Sequence, residues 1–139
     1  MSLEEQLKGT TWKLESYQLE DKNGEILYPL GEDAEGYIYL TPDSRLSVHI
    51  MAKDRNAEID KGKLFNTEAE REMAERGYHA YTGPVTLDEE AQTLTTEVEL
   101  SLLPSYVGTK QTRSVRLEGD TLYLSNVQHP ERQLVWKKV

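Results

Sequence analysis

Between Thr93 and Ser125 the sequence TLTTEVELSLLPSYVGTKQTRSVRLEGDTLYLS sets charged and amide side chains among alternating apolar ones. Successive side chains of a strand point to opposite faces. Thr109, Gln111, Arg113, Val115 and Leu117 therefore share one face, opposite Lys110, Thr112, Ser114 and Arg116, which read as the solvent side. Gln111 and Arg113 thus fall on an inward face beside apolar residues. In the preceding segment Thr95, Glu97, Glu99 and Ser101 share a face, and Leu94, Val98, Leu100 and Leu102 the other. Two arrangements satisfy this pattern. In one, the leucines and the valine point inward and the glutamates meet water. In the other, Glu99 and Ser101 point inward beside Arg113, where a carboxylate offsets the desolvation of the guanidinium, and the apolar face packs under a helix or a neighbouring subunit. A Glu99–Arg113 pair would either fix strand register or bind the polar group of a ligand.

Other chemistry-bearing residues are scattered. His49 lies in RLSVHIM and shares a face with Ser47 and Met51, His79 precedes Ala80 and Tyr81, and His129 stands beside Pro130. No two are spaced as metal ligands on one strand, so no metal is expected. A lone strand histidine is either a polar wall residue or a ligand contact, and His49 is a candidate for the latter. Tyr37 and Tyr39 alternate with Ile38 and Leu40, Tyr78 and Tyr81 fall on opposite faces, and Tyr106 sits in the corner from Pro104 to Gly108. Tyrosines inside a barrel anchor a ligand's polar end while their rings contact its apolar body. Equally, they fill a core with the hydroxyl satisfied. There is no G-x-S-x-G elbow and no glycine-rich phosphate loop. The absence of cysteine excludes disulfides, thiolate nucleophiles and cysteine-based zinc sites. No catalytic residue and no cofactor is assigned.

The elements that must position these groups read as strands almost throughout. Residues 2–8 allow one helical turn. From Thr11 the chain alternates, with Trp12, Leu14, Ser16 and Gln18 on one face and Lys13, Glu15, Tyr17 and Leu19 on the other. Asp21-Lys22-Asn23-Gly24 predicts a hairpin with a type I′ turn, leading into a short strand over 25–28. Residues 36–41 and 45–51, rich in β-branched and aromatic side chains, flank a Pro-Asp-Ser turn. A polar stretch over 52–63 has the length of a lid or a loop. Residues 66–76 predict the one clear helix, with capping-box spacing at Thr67 and Glu70 and Gly77 as its stop. Its few apolar residues (Ala69, Met73, Ala74) suit a narrow contact across an opening of the sheet. Strands follow over 78–87, 93–102, 109–117, 121–125 and 133–137, with a bend expected at Gly83-Pro84. About eight to nine strands joined by short turns, with an α-helix inserted between the fourth and fifth, predict an all-β, antiparallel up-and-down barrel. Closing it removes exposed edges.

At 139 residues the chain suits one domain spanning 1–139. Its net charge of -9, from 25 acidic and 16 basic residues, repels phosphate backbones and anionic lipid, so neither nucleic acid nor membrane is an expected partner. The opening MSLEEQLKGTTW lacks the pattern of a signal peptide, and no apolar run has transmembrane length. A cytoplasmic setting is the expectation.

Gly9, Trp12 and a late Trp136-Lys137 resemble the lipocalin and wider calycin plan, in which an early tryptophan packs at the closed end of the barrel beneath a basic side chain. The Gly–Trp spacing here is one residue longer than the usual Gly-x-Trp. The segments GTTWKLESY, YPLGEDAEGYIYLTPD, MAKDR, GYHAYTG and SLLPSYVGTKQTRSVRLEGDTLYLS resemble more closely the small lipocalin-like domain proteins of bacteria and fungi, over nearly the whole chain. The resemblance implies a barrel with a candidate cavity. Its Glu-x-Ser and Gln-x-Arg favour the arrangement with Glu99 and Ser101 inward. Some fungal relatives sit in natural-product pathways, which keeps cyclase or isomerase chemistry in view.

These readings lead to a lipocalin-like barrel that binds a small, partly apolar molecule in its mouth, lined by Tyr39, His49, Met51, Tyr81, Glu99, Gln111 and Arg113. The rival is a cofactor-free cyclase, isomerase or dehydratase using His49 or Glu99 as acid or base. A third possibility is a filled barrel whose Val98–Leu102 face makes a homodimer.

Overall fold

The computed structural model describes residues 2–53, 72–73 and 76–139. A short helix, α1 (Leu3–Leu7), precedes ten strands: β1 (Thr11–Glu20), β2 (Ile26–Leu27), β3 (Glu35–Leu40), β4 (Arg45–Met51), β5 (Tyr78–Asp88), β6 (Thr93–Glu97), β7 (Leu100–Ser101), β8 (Lys110–Glu118), β9 (Thr121–Asn126) and β10 (Arg132–Lys138). A 3-10 turn, Pro104–Tyr106, separates β7 from β8. Eight strands form a closed antiparallel barrel in the order β1-β3-β4-β5-β6-β8-β9-β10, with β2 and β7 as short additions. Closure comes from β1 against β10, paired from Trp12↔Lys138 to Leu19↔Arg132. The expected all-β barrel is what the chain forms. Of the expected 66–76 helix, Glu72, Met73 and Arg76 are helical; the remainder, like the stretch from 54 to 63, lies outside the described residues.

Turn chemistry fixes the register. Asp21 Oδ1 accepts the backbone N–H groups of Asn23 and Glu25 at 2.8 and 2.9 Å. Gly24 takes φ 80°, whereas Asn23 is not among the residues with positive φ. The expected type I′ turn needs positive φ at both central residues, so this hairpin instead closes through the Asp21 side chain with glycine alone in the left-handed region. At the other hairpin end, Asp88 Oδ1 accepts from Glu90 and Ala91. The Glu89 carboxylate accepts the N–H groups of Leu3 and Glu4, at 3.0 and 3.2 Å, which ties α1 to the barrel. Leu3 and Leu7, four residues apart on one helical face, are buried.

Two irregularities change which side chains point inward. A bulge between Leu14 and Ser16 breaks the simple alternation of β1, so that Trp12 and Leu14 are followed inward by Tyr17 and Leu19 rather than by Ser16 and Gln18. The second lies between β6 and β7. Leu94, Thr96 and Val98 are buried, so Glu97 and Glu99 face out. The chain then leaves the β6 ladder, with Val98 N–H donating to Thr109 and Glu99 N–H to Thr82. As a result Val98 is 3% exposed and Leu100 is 68% exposed, although they are two residues apart. The continuous Val98–Leu102 face expected from alternation is therefore split between inside and outside.

Gly83 makes this break sterically feasible. A Cβ at Gly83 would stand 1.8 Å from the Glu97 carbonyl oxygen, whereas one at Gly108 would meet nothing within 4 Å. Gly83→Ala is expected to destabilise the protein by about 3 kcal/mol, because the obstruction is backbone and cannot swing away. Gly108→Ala, which meets only the strain of φ 84°, is expected to cost about 1 kcal/mol. Chemical denaturation of the two variants side by side checks the order; equal losses would contradict it.

Candidate functional site

Alternation inside the closed sheet builds an interior cavity. β4 sends Leu46, Val48 and Ile50 inward, β6 sends Leu94, and β9 sends Leu124, making an aliphatic wall. β5 contributes His79 and Tyr81 from the same face, and the 3-10 turn adds Tyr106. Met73 and Trp136 complete the apolar lining. The space open to the centre of a water molecule is about 60 Å³. On a scale where about 10–15 Å³ holds one water, that is room for roughly four to six waters, the bulk of one aromatic ring.

His79, Tyr81 and Tyr106 form a three-ring cluster. Their centroids lie 5.3 Å (His79–Tyr81), 5.4 Å (His79–Tyr106) and 6.0 Å (Tyr81–Tyr106) apart, with His79 and Tyr106 meeting edge to face at 88°. His79 is 7% exposed, and its Nδ1 has no hydrogen-bond partner among the described residues. Burial, and next the Arg113 guanidinium, push its pKa down to about 3. The imidazole is therefore neutral at pH 7.

Arg113 is held in the wall by its neighbours in the ladder, Leu94 on β6 and Asn126 on β9. It donates to the Thr112 carbonyl at 3.1 Å and to Gln111 Oε1 at 3.3 Å. Gln111 in turn donates through Nε2 to Thr109 Oγ1 at 2.9 Å, which aims its oxygen at the guanidinium. Asn126 and Arg132 also line the cavity, and no carboxylate does so among the described residues.

The expected site residues divide. Tyr81 and Arg113 line the cavity, and Gln111, half-buried on the same face of β8, does not line it but accepts from Arg113. Tyr39, His49, Met51 and Glu99 lie on the outer side of the sheet, a correction to the expected inward orientation. In β3 and β4 the buried set is Ile38 and Leu40, then Leu46, Val48 and Ile50, so the intervening positions must face out. Tyr39 stacks on Tyr37 at 5.9 Å. His49 bonds the Tyr78 hydroxyl at 3.0 Å and Ser47 Oγ at 3.3 Å. Glu99 pairs with Arg45, not Arg113. The cavity lining also includes His79 and Tyr106, named among the chemistry-bearing residues but not in the expected ligand set, and Asn126, Arg132 and Trp136. Two of these had a usable signal: His79 is two residues from Tyr81, and Arg132 alternates with Leu134 and Trp136.

The comparisons with known proteins agree with this architecture. Residues 9–139 match the lipocalin-like domain. The chain belongs to the lipocalin-like domain family. It is also similar to the 4'-hydroxy-3'-methoxypropiophenone carrier protein ppsC of Aspergillus oryzae, 41% identical over 73 residues that cover 48% of this chain and 65% of the relative. The match thus spans just under two thirds of that relative's length. A crystal structure of an uncharacterized protein from Bacteroides eggerthii superposes with a TM-score of 0.51 at 12% identity, covering 94% of this chain and 98% of the other. At that identity the likeness concerns the fold alone. Among the described residues of this lipocalin-like barrel, no three His, Cys, Asp or Glu side chains are grouped to hold a metal, and no helix is long and apolar enough to cross a membrane.

The buried neutral imidazole gives a pH signature. The folded pKa lies below the unfolded value of 6.5, so the unfolded chain takes up the proton first as pH falls. Stability is full above pH 6.5 and declines from there toward about pH 3. Between pH 6.5 and 5 this linkage removes on the order of 1–2 kcal/mol. His79→Phe is expected to reduce the loss of stability across that window by this amount, read from urea midpoints at each pH. An unchanged pH slope would contradict the assignment.

Proposed function

We propose that this protein binds a small, partly apolar molecule of single-ring size inside its barrel and holds it without chemical change, as a carrier does. The observation that carries this reading is the apolar cavity inside the barrel with an aromatic cluster on one wall and Arg113 set into another. Apolar walls with a few placed polar groups are the general form of small-molecule sites. The similarity to a carrier protein supports the same reading, since the cargo in that relative's name is a one-ring aryl ketone. A reaction is less well supported. His49 and Glu99, the groups considered as acid or base, stand on the outer side of the sheet, and His79 inside is neutral and buried. A cytoplasmic setting for the carrier fits the acidic, cysteine-free composition.

Trp136 lines the cavity, so binding has an intrinsic reporter. Titration with acetophenone is expected to change the tryptophan fluorescence saturably, and native mass spectrometry of freshly purified protein to show a bound small molecule. Val48→Phe, which puts a ring into the cavity, is expected to weaken acetophenone binding about tenfold or more while changing stability by no more than about 1.5 kcal/mol. Unaltered binding in a folded Val48→Phe protein would place the ligand elsewhere.

A further inference from the structure

We infer that the ligand carries an ionised carboxylate, bound by Arg113 with Asn126 and His79 completing the polar end of the cavity; this rests on the proposed interior site and specifies its cargo. Arg113 faces a cavity that is otherwise largely apolar, and its two recorded acceptors, the Thr112 carbonyl and the Gln111 amide oxygen, are both neutral. Arg113 is half-buried; withdrawing part of a guanidinium from water without a counter-charge is costly, and a bidentate carboxylate is the partner its planar fork matches. No Asp or Glu among the described residues lines the cavity.

The remaining polar groups point to the same ligand chemistry. Trp136 is 0% exposed and its indole N–H has no hydrogen-bond partner among the described residues. An indole N–H only donates. Asn126 has its Oδ1 engaged by the backbone N–H groups of Gln128 and His129, at 2.9 and 3.2 Å, which leaves its NH₂ as the remaining group. Arg113 and the amide NH₂ of Asn126, its partner across the ladder, make a donor-rich end that calls for an acceptor-rich ligand group, and the Trp136 indole lies four residues further along, opposite Leu122. His79 Nδ1, more than nine-tenths buried and without a partner among the described residues, adds one further hydrogen-bonding atom next to the guanidinium. In the tautomer protonated at Nδ1 it donates as well. A neutral carbonyl would use these donors but leave the guanidinium charge uncompensated. A carboxylate does both.

The test compares benzoate with benzamide, which match in shape and differ in charge, by calorimetry on the 139-residue protein at pH 7. Benzoate is expected to bind about tenfold or more tightly than benzamide. Arg113→Met is expected to bring benzoate down to the level of benzamide, and Arg113→Lys, which keeps the charge but not the fork, to an intermediate value. Equal affinities in the wild-type protein would overturn the carboxylate while leaving an interior ring site standing. A benzoate preference that survives Arg113→Met would also overturn it. If neither compound nor acetophenone binds, the interior site and this inference fall together. Should Arg113→Met fail to fold, the wild-type comparison and Arg113→Lys still decide.

Discussion

The pairing of β1 with β10 is the contact on which the rest of the molecule depends. It joins the first and last strands over Trp12↔Lys138 to Leu19↔Arg132 and leaves the eight-stranded sheet without a free edge. Once the sheet is closed, every strand has an inside and an outside, and alternation assigns each side chain to one of them. Both tryptophans stand on the two strands of this seam, and both are buried. Trp12 is further fixed by its indole N–H to Thr10 Oγ1 at 2.7 Å. The placement of Trp136 and Arg132 in the cavity wall follows directly from the register of this one ladder.

Closure also separates two electrostatic environments. The chain as a whole carries a net charge of -9, yet among the described residues the charged side chains that line the cavity are Arg113 and Arg132. Acidic groups on the outside are screened by solvent, whereas a guanidinium in an apolar interior acts through a lower dielectric. An acidic protein can therefore present a locally cationic pocket. His79 responds to the same environment, and its suppressed protonation reports how dry and how positive the interior is.

The sequence carried most of the fold because strands with alternating side chains and well-marked turns leave little freedom. GYIYLT and RLSVHIM become β3 and β4 within a residue of their expected bounds, and Arg113 points inward as the alternation of β8 requires. Errors arose where alternation is interrupted or where its phase had to be chosen. The bulge after Leu14 moves Tyr17 and Leu19 inward, and the break after Glu97 separates Val98 from Leu100; both depend on hydrogen bonds to distant strands that local pattern does not encode. For β3 and β4 alternation alone leaves the phase open, and the purely aliphatic set Leu46, Val48 and Ile50, with the greater hydrophobic gain, takes the interior in place of the polar and aromatic set. The cavity's polar end is not legible in local pattern, because Asn126 reaches Arg113's neighbourhood only through strand order. The Asn126–Arg113 pairing across β9 and β8 is one such long-range consequence.

The central claim is that the ligand lies within the closed sheet and not on the tyrosine-bearing outer surface. Methyl-resolved NMR of the protein with bound acetophenone tests this most directly, by intermolecular NOEs from the ligand ring. The account predicts contacts to the methyl groups of Val48, Ile50 and Leu94, all of which line the cavity. NOEs confined to the exposed side around Tyr39, His49 and Met51 would contradict it.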